Sequence, residues 1–254
     1  MNQKIILEKH ICYKYIQRWL FIYVFCYALF HIVPAFLEID IHNRFTAGDL
    51  FDLFTPFLFV SALYKLYAVL RRSVVIGSDS RLSGYVKIIL VLGSVSFIEG
   101  HGMHLSANAI ARHLIPDQNS PLFTLDYFFD EVLGHLLWDS GIVLMSIGIM
   151  ALGFNLPGNQ ERRQNLALTT IFSLLYGFTY FVNAVEGQTV MFTFPLAIII
   201  SSIVWWLRYR KSLNFFANPV LLMFAFAYLF AVILFFVWGA WHRGFPQFSE
   251  LGLI

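Results

Sequence analysis

Long apolar runs separated by short polar segments dominate the chain. A run of about 20 apolar residues can cross the roughly 30 Å hydrocarbon core of a bilayer as a helix. Strict alternation of apolar and polar positions is absent, which disfavours a transmembrane barrel. We therefore predict an all-α polytopic membrane protein, a single domain over residues 1–254. Its seven helices are expected at about 17–38, 50–70, 85–108, 128–153, 165–186, 188–208 and 217–241.

Composition supports the same class of protein. Of the 254 residues 59% are hydrophobic and only 13% are charged, whereas a soluble domain of this length needs more polar surface. The first apolar run lacks a small-residue cleavage site and is interpreted as a retained anchor. Cys12 and Cys26 show no pairing or thiolate-metal pattern.

Basic residues are distributed unevenly between the two sides of the predicted bundle. Thirteen Lys and Arg fall on one side, against Arg44, Arg112 and Arg243 on the other. The positive-inside rule then places the N-terminus in the cytoplasm and the C-terminus outside. The net charge of +2 reflects this bias and gives no indication of nucleic-acid binding.

Acidic residues and histidines show the opposite distribution. Twelve of the fifteen Asp and Glu, and seven of the eight His, fall in outer loops or the outer halves of helices. Ionisable side chains at membrane depth are rare and usually face a bundle interior or a wet cavity. We therefore expect a polar site in the outer half of the bundle.

The third helix carries part of this site in the sequence EGHGMHLSAN, residues 99–108. His101 and His104 share one face with Asn108 at about 100° per residue. Glu99 points elsewhere unless Gly100 and Gly102 unwind the turn. Small residues in this stretch are expected to let helices approach closely.

The fourth and fifth helices carry matching polar stripes. Glu131, His135 and Asp139 are spaced four apart, while Asp130 is expected to face away and merely begin the helix. Ser146 extends the stripe, and Asp139 would lie about 16 Å below the outer end, near mid-bilayer. The remaining polar positions are Tyr176, Thr179, Asn183 and Glu186 on the fifth helix, His31 on the first and His242 at the end of the last.

These residues are the usual ligands of a divalent zinc or non-haem iron ion. We predict His101, His104, Glu131, His135 and His242 as metal ligands. Asp139 and Glu186 are the candidate catalytic residues, with Asp139 orienting His135 or acting as general acid/base. Glu186 could alternatively complete the metal shell.

The predicted architecture is similar to that of the membrane hydrolases typified by alkaline ceramidases and adiponectin-type receptors, by analogy of architecture only. Those proteins hold zinc with three histidines, two of them in an HxxxH pair on the last helix. The last helix here offers only His242.

Three functions follow from this pattern. The first is a membrane metalloenzyme, a zinc hydrolase or an iron oxidase, acting on a lipid or other hydrophobic small molecule in the plasma (inner) membrane. The second is a proton- or cation-coupled transporter using Asp139 and His135. The third is a structural or assembly subunit without catalysis, in which the buried polar groups only hold helices together.

Overall fold

The computed structural model describes residues 3–73, 80–117, 119–156, 165–211 and 215–253. Its helices are α1 (Gln3–Ile32), α2 (Ala47–Asp52), α3 (Thr55–Ser73), α4 (Ser80–Leu114), α5 (Pro121–Tyr127), α6 (His135–Gly153), α7 (Leu166–Glu186), α8 (Val190–Lys211) and α9 (Pro219–His242). A π-helical segment (Phe128–Gly134) joins α5 directly to α6. Short 3-10 helices (Pro34–Phe36, Ile115–Asp117 and Phe215–Ala217) and an antiparallel pair of strands, β1 (Asp40–His42) and β2 (Phe45–Thr46), lie in connections.

The prediction of an all-α membrane protein is confirmed. Within the described part of the chain seven helical stretches are long and apolar enough to cross a membrane. They are Lys14–Phe36, Ala47–Ser73, Ser83–Asp117, Pro121–Gly153, Leu166–Glu186, Val190–Arg210 and Pro219–His242. The orientation of the termini stays a prediction, and Arg162 and Arg163, which contribute to it, lie outside the described residues.

The third and fourth spans exceed their predicted lengths by the most residues. Helix α4 has 35 residues, which at 1.5 Å per residue is about 52 Å and exceeds the thickness of the hydrocarbon core. The fourth span starts at Pro121 because the π-helical segment continues α5 into α6. Helix α4 is continuous through Gly100 and Gly102, so the turn is not unwound there.

Helix starts follow local capping chemistry. The Asn165 side chain accepts the backbone N–H of Leu168 and begins α7. The Asn218 side chain does the same for Leu221 in α9, where Pro219 occupies the first turn. Such caps satisfy backbone donors that have no partner within the helix.

Glycines set the close packing of α4 against α6. Gly93 on α4 faces Gly141 on α6, and a Cβ atom on Gly141 would lie 2.6 Å from the carbonyl oxygen of Gly93. Seven residues further on, Gly100 faces Gly134 in the same way. Small residues allow helix backbones to approach closely in a membrane, where association depends on packing. This approach positions the histidines of α4 beside the start of α6.

Candidate functional site

The site lies at one end of the bundle, called here the histidine end. Helices α1, α4, α7 and α9 end there, and α3, α6 and α8 begin there. Its central contact joins His104 of α4 to Asp130 of the π-helical segment. The His104 Nδ1 atom is 2.6 Å from the Asp130 Oδ1 atom, a short hydrogen bond of the kind that charge strengthens. Asp130 is buried and His104 half-buried.

The π-helical segment explains why Asp130 occupies this position. In an α-helix residues four apart share a face, which led to the pairing of Glu131 with His135. In a π-helix the repeat is i→i+5, so Asp130 lies on the face of His135, five residues later. The expectation that Asp130 faces away was therefore wrong. The single sequence carries no evident signal of the π-helical geometry.

His104, Asp130 and His135 together form a set with the composition of a metal site. One potential ligand atom from each lies within 4.8 Å of the other two. Donor atoms around one zinc or iron ion are roughly 3–4 Å apart, so side-chain shifts of up to about 1 Å would close the set on an ion. Among the described residues no other group of three His, Cys, Asp or Glu side chains meets the same criterion.

His135 is held between two neighbours. Its ring centroid is 4.5 Å from that of His104 on one side. On another side its Nδ1 atom lies against Gly187, where any side chain would collide with the imidazole. His135 is 5% exposed, and Nδ1 is buried without a hydrogen-bond partner.

Trp138 organises the histidines, although the sequence did not single it out. Its ring is stacked on His135, with centroids 5.6 Å apart, and meets the ring of His104 edge-on at 5.4 Å. Its edge contacts to His101 and His31 have centroid separations of 4.7 Å and 4.9 Å. The indole Nε1 atom donates to His31 Nε2 over 3.1 Å. The spacing of three residues after His135 is the available sequence signal, since it places Trp138 on the same helix face.

His101 belongs to a different set of contacts. Its Nε2 atom is 3.1 Å from the backbone oxygen of Asp52 and 3.6 Å from the Asp52 carboxylate. Asp52 in turn accepts a hydrogen bond from Thr55 over 2.7 Å. His101 is therefore outside the three-residue set, and its role as a metal ligand stays a prediction.

Glu131 and His242 are the other two predicted ligands. Glu131 is half-buried, and its Oε2 atom is buried without a partner. It is next to Asp130 in the chain but does not belong to the three-residue set. His242 packs against Trp238 on the same helix, with ring centroids 4.3 Å apart. The structure thus brings together only His104 and His135 of the five predicted ligands, and adds Asp130.

Glu186 connects α7 to the C-terminal segment. Its carboxylate accepts the backbone N–H groups of Phe248 and Ser249 over 2.8 Å and 3.4 Å. The Gln247 side chain donates to the backbone oxygen of Glu186 over 2.5 Å. These contacts give Glu186 a structural explanation, and its catalytic role stays a prediction.

Asp139 is fully buried one turn below His135. We expected Asp139 to lie within hydrogen-bond reach of His135 or of a water. The partners of its carboxylate are the Thr189 hydroxyl and the Asn183 amide nitrogen, the latter at 3.3 Å. Deeper in the bundle the Ser146 hydroxyl is 2.7 Å from that of Tyr176. The polar stripes of α6 and α7 therefore meet as predicted, with Asp139 stabilised by Asn183 on α7 and by Thr189 just before α8.

Arg112 ties the end of α4 to α2 at the histidine end. Its guanidinium binds both carboxylate oxygens of Asp49, one of them at 2.8 Å. Asp49 also forms a reciprocal capping box with Thr46 at the start of α2. Bidentate arginine–carboxylate pairs fix geometry well, so this pair positions α2 and its Asp52 beside His101.

Comparison with known proteins gives two relatives of this chain. The chain is 27% identical over 209 residues to the ceroid-lipofuscinosis neuronal protein 6 homolog of Canis lupus familiaris, covering 78% of this chain and 65% of that protein. The same figures hold for ceroid-lipofuscinosis neuronal protein 6 of Homo sapiens. The match thus spans slightly less than two thirds of each relative. No family model matches the chain, and no solved structure matches it.

Proposed function

We propose that this multi-pass membrane protein is a metal-dependent enzyme whose divalent ion is held by His104, Asp130 and His135 at the histidine end of the bundle. The observation that carries the proposal is the convergence, within 4.8 Å, of three potential ligand atoms from α4, the π-helical segment and α6. The predicted substrate is a lipid or another hydrophobic small molecule, because the site lies between membrane-spanning helices.

The donor set fits two metals. Two histidines and a carboxylate with an open position form the ligand set of catalytic zinc sites and of non-haem iron oxygenases. A bound zinc ion would polarise a substrate carbonyl or phosphoryl group and activate water, whereas iron would support oxidation. The choice between a hydrolase and an oxidase therefore depends on which metal the protein retains.

The protein's own residues would position and support this chemistry. Asp130 fixes the orientation of His104 through their hydrogen bond, and its carboxylate would be the third ligand when a metal binds. Trp138 orients the His135 ring by stacking. Glu131, with one buried and unpartnered carboxylate oxygen beside Asp130, is placed to act as general base or as a further ligand.

Metal analysis of purified protein tests the proposal. The wild type should retain about one zinc or, when handled anaerobically, one ferrous ion per chain. His104→Ala, Asp130→Asn and His135→Ala should each retain less than about one tenth of that amount, because each removes one of three protein ligands. His42→Ala, which changes an exposed histidine of β1, is the matched control.

Further outcomes separate the alternatives. Loss of metal in Glu131→Gln or His242→Ala would favour the ligand set predicted from the sequence. A wild type that binds neither metal would overturn the proposal. If His104→Ala and Asp130→Asn then lowered the melting temperature, the result would favour the structural subunit, in which the pair only joins α4 to α6.

Transport is retained as a second candidate because of Asp139. A fully buried carboxylate bonded to the amide of a neighbouring helix and to the hydroxyl of the following turn resembles the sites through which transporters move protons or cations. Proton or sodium flux into proteoliposomes should then disappear in Asp139→Asn, and flux equal to that of the wild type would exclude this function.

The membrane in which the protein resides is a separate prediction. We keep the plasma (inner) membrane as the expected location. Fractionation of source cells, followed by detection of the untagged chain, tests this expectation, and enrichment in another membrane would refute it.

A further inference from the structure

A groove on the surface of α4 lies beside the metal-binding set but on a different helix face. It has a volume of about 400 Å³, within the range of pockets that hold small molecules. One wall is α4, and the other is formed by Asp126 of α5 and Phe129 of the π-helical segment. The groove opens toward lipid, because Ile98, Ile110 and Phe129 at its edges are exposed within membrane-spanning stretches.

Two carboxylates line this otherwise mostly apolar groove. Glu99 comes from α4 and Asp126 from α5. Asp126 is only 8% exposed, and its Oδ2 atom is buried without a hydrogen-bond partner. A buried carboxylate oxygen without a partner costs free energy, and no basic side chain is among the described residues that line the groove. A cation supplied by a ligand would provide the missing partner.

We propose that the groove binds a single-chain amphiphile with a cationic amine headgroup, whose ammonium lies between Asp126 and Glu99 and whose acyl or alkyl chain follows the apolar wall. The wall includes Ile98, Met103 and Ile110, which suit an alkyl chain and give no recognition of a small inorganic ion. Ser106 at the rim adds a hydroxyl that can accept from the ammonium.

The position of the groove links it to the proposed function. Gly102 and Met103 line the groove and immediately precede His104 on α4, and Phe129 immediately precedes Asp130. An amphiphile held here would lie next to the metal ligands, so the substrate of the proposed enzyme would carry a cationic amine headgroup. In that respect the inference rests on the proposed function, whereas the binding itself does not require a metal.

Binding can be measured by native mass spectrometry on metal-free protein released from dodecyl maltoside micelles. Hexadecylamine is the probe, and hexadecanol and hexadecyl sulfate are the matched neutral and anionic compounds. We expect one hexadecylamine per chain and at least about tenfold weaker binding of the other two compounds, because a charged hydrogen bond is worth about that factor or more. Equal binding of the alcohol would overturn the proposal.

Variants localise the site. Asp126→Asn and Glu99→Gln should each weaken hexadecylamine binding about tenfold, whereas Asp117→Asn, at an exposed position, should not change it. Gly102→Leu keeps both carboxylates and should block binding by filling the groove, since a side chain at Gly102 meets no neighbouring atom. Wild-type binding in Asp126→Asn or in Gly102→Leu would refute the site.

Two controls distinguish the remaining outcomes. Stoichiometric calcium binding that depends on Asp126 and displaces hexadecylamine would show a cation site and overturn the amphiphile. Hexadecylamine binding in a chain that holds no metal even after loading would support the groove while the proposed enzyme function fails. The two proposals can therefore fail independently.

Discussion

Two single-residue deletions in the π-helical segment test whether Asp130 binds the metal through its place on the His135 face. Val132 and Phe128 are each 47% exposed, so that removing either one takes little from the core. Each deletion is expected to convert the segment to a regular α-helix, because a π-helical turn accommodates one extra residue in an α-helix. The two deletions differ in the spacing that remains between Asp130 and His135.

Deletion of Val132 leaves Asp130 four residues before His135, and deletion of Phe128 leaves it five residues before. At 3.6 residues per turn these spacings place the two side chains about 40° and about 140° apart around an α-helix. Only the first arrangement keeps Asp130 beside His104. Loss of a supporting partner of a metal ligand typically costs 10–100-fold in affinity, so loss of the ligand itself should cost at least about 100-fold, or about 2.7 kcal/mol.

The assay is zinc titration of detergent-solubilised protein against a competing chelator, with gel filtration and circular dichroism to establish that each variant is folded. The Val132 deletion should bind zinc within about tenfold of the wild type, and the Phe128 deletion at least about 100-fold more weakly. Equal affinities in the two folded variants would show that Asp130 is not a ligand. Loss of binding in the Val132 deletion alone would contradict the helical reasoning.

Three other predictions concern packing, the C-terminal segment and orientation. Gly141→Ala should lower the free energy of unfolding by about 1–3 kcal/mol through a collision with α4, measured by thermal denaturation in detergent, whereas Gly84→Ala, with open space around it, should not destabilise the protein. Glu186→Ala removes the carboxylate that binds two backbone N–H groups, and amide exchange in the C-terminal segment should accelerate about tenfold or more; unchanged exchange would show that other contacts hold the segment. With the native cysteines replaced by serine, Glu250→Cys should react with a membrane-impermeant maleimide in intact cells and Ser78→Cys should not, and the opposite labelling would reverse the predicted orientation.

Local patterns account for the spans and for the contacts between helices that the sequence predicted. Hydropathy identifies spans because the cost of placing polar groups in lipid applies to each segment separately. Helical periodicity placed His104 and His135 on inward faces, and the structure brings their rings within 4.5 Å. Periodicity also placed Ser146 and Tyr176 on stripes that meet. These relations depend on residues within a few turns of one helix, and the sequence contains that information.

Contacts between elements distant in the chain decided the rest. Glu186 binds the backbone at residues 248 and 249, and Asp139 binds Thr189, which precedes α8. No periodicity within a single helix indicates such partners, since they depend on how helices are arranged around one another. His242 was predicted to join the other histidines because it lies at the same end of the bundle. In the structure its ring packs against Trp238.

The sequence by itself determined that the protein lies in a membrane, how many spans it has, and that histidines and carboxylates are concentrated at one end of the bundle. These properties follow from the transfer free energy and the helical spacing of each segment. Only the tertiary structure decided which carboxylate meets the histidines. The π-helical segment changes the angular repeat from four residues to five, and the glycine contacts between α4 and α6 bring His104 close enough to bind Asp130. The identity of the proposed metal ligands therefore depends on one local change of helical geometry and on the packing that makes use of it.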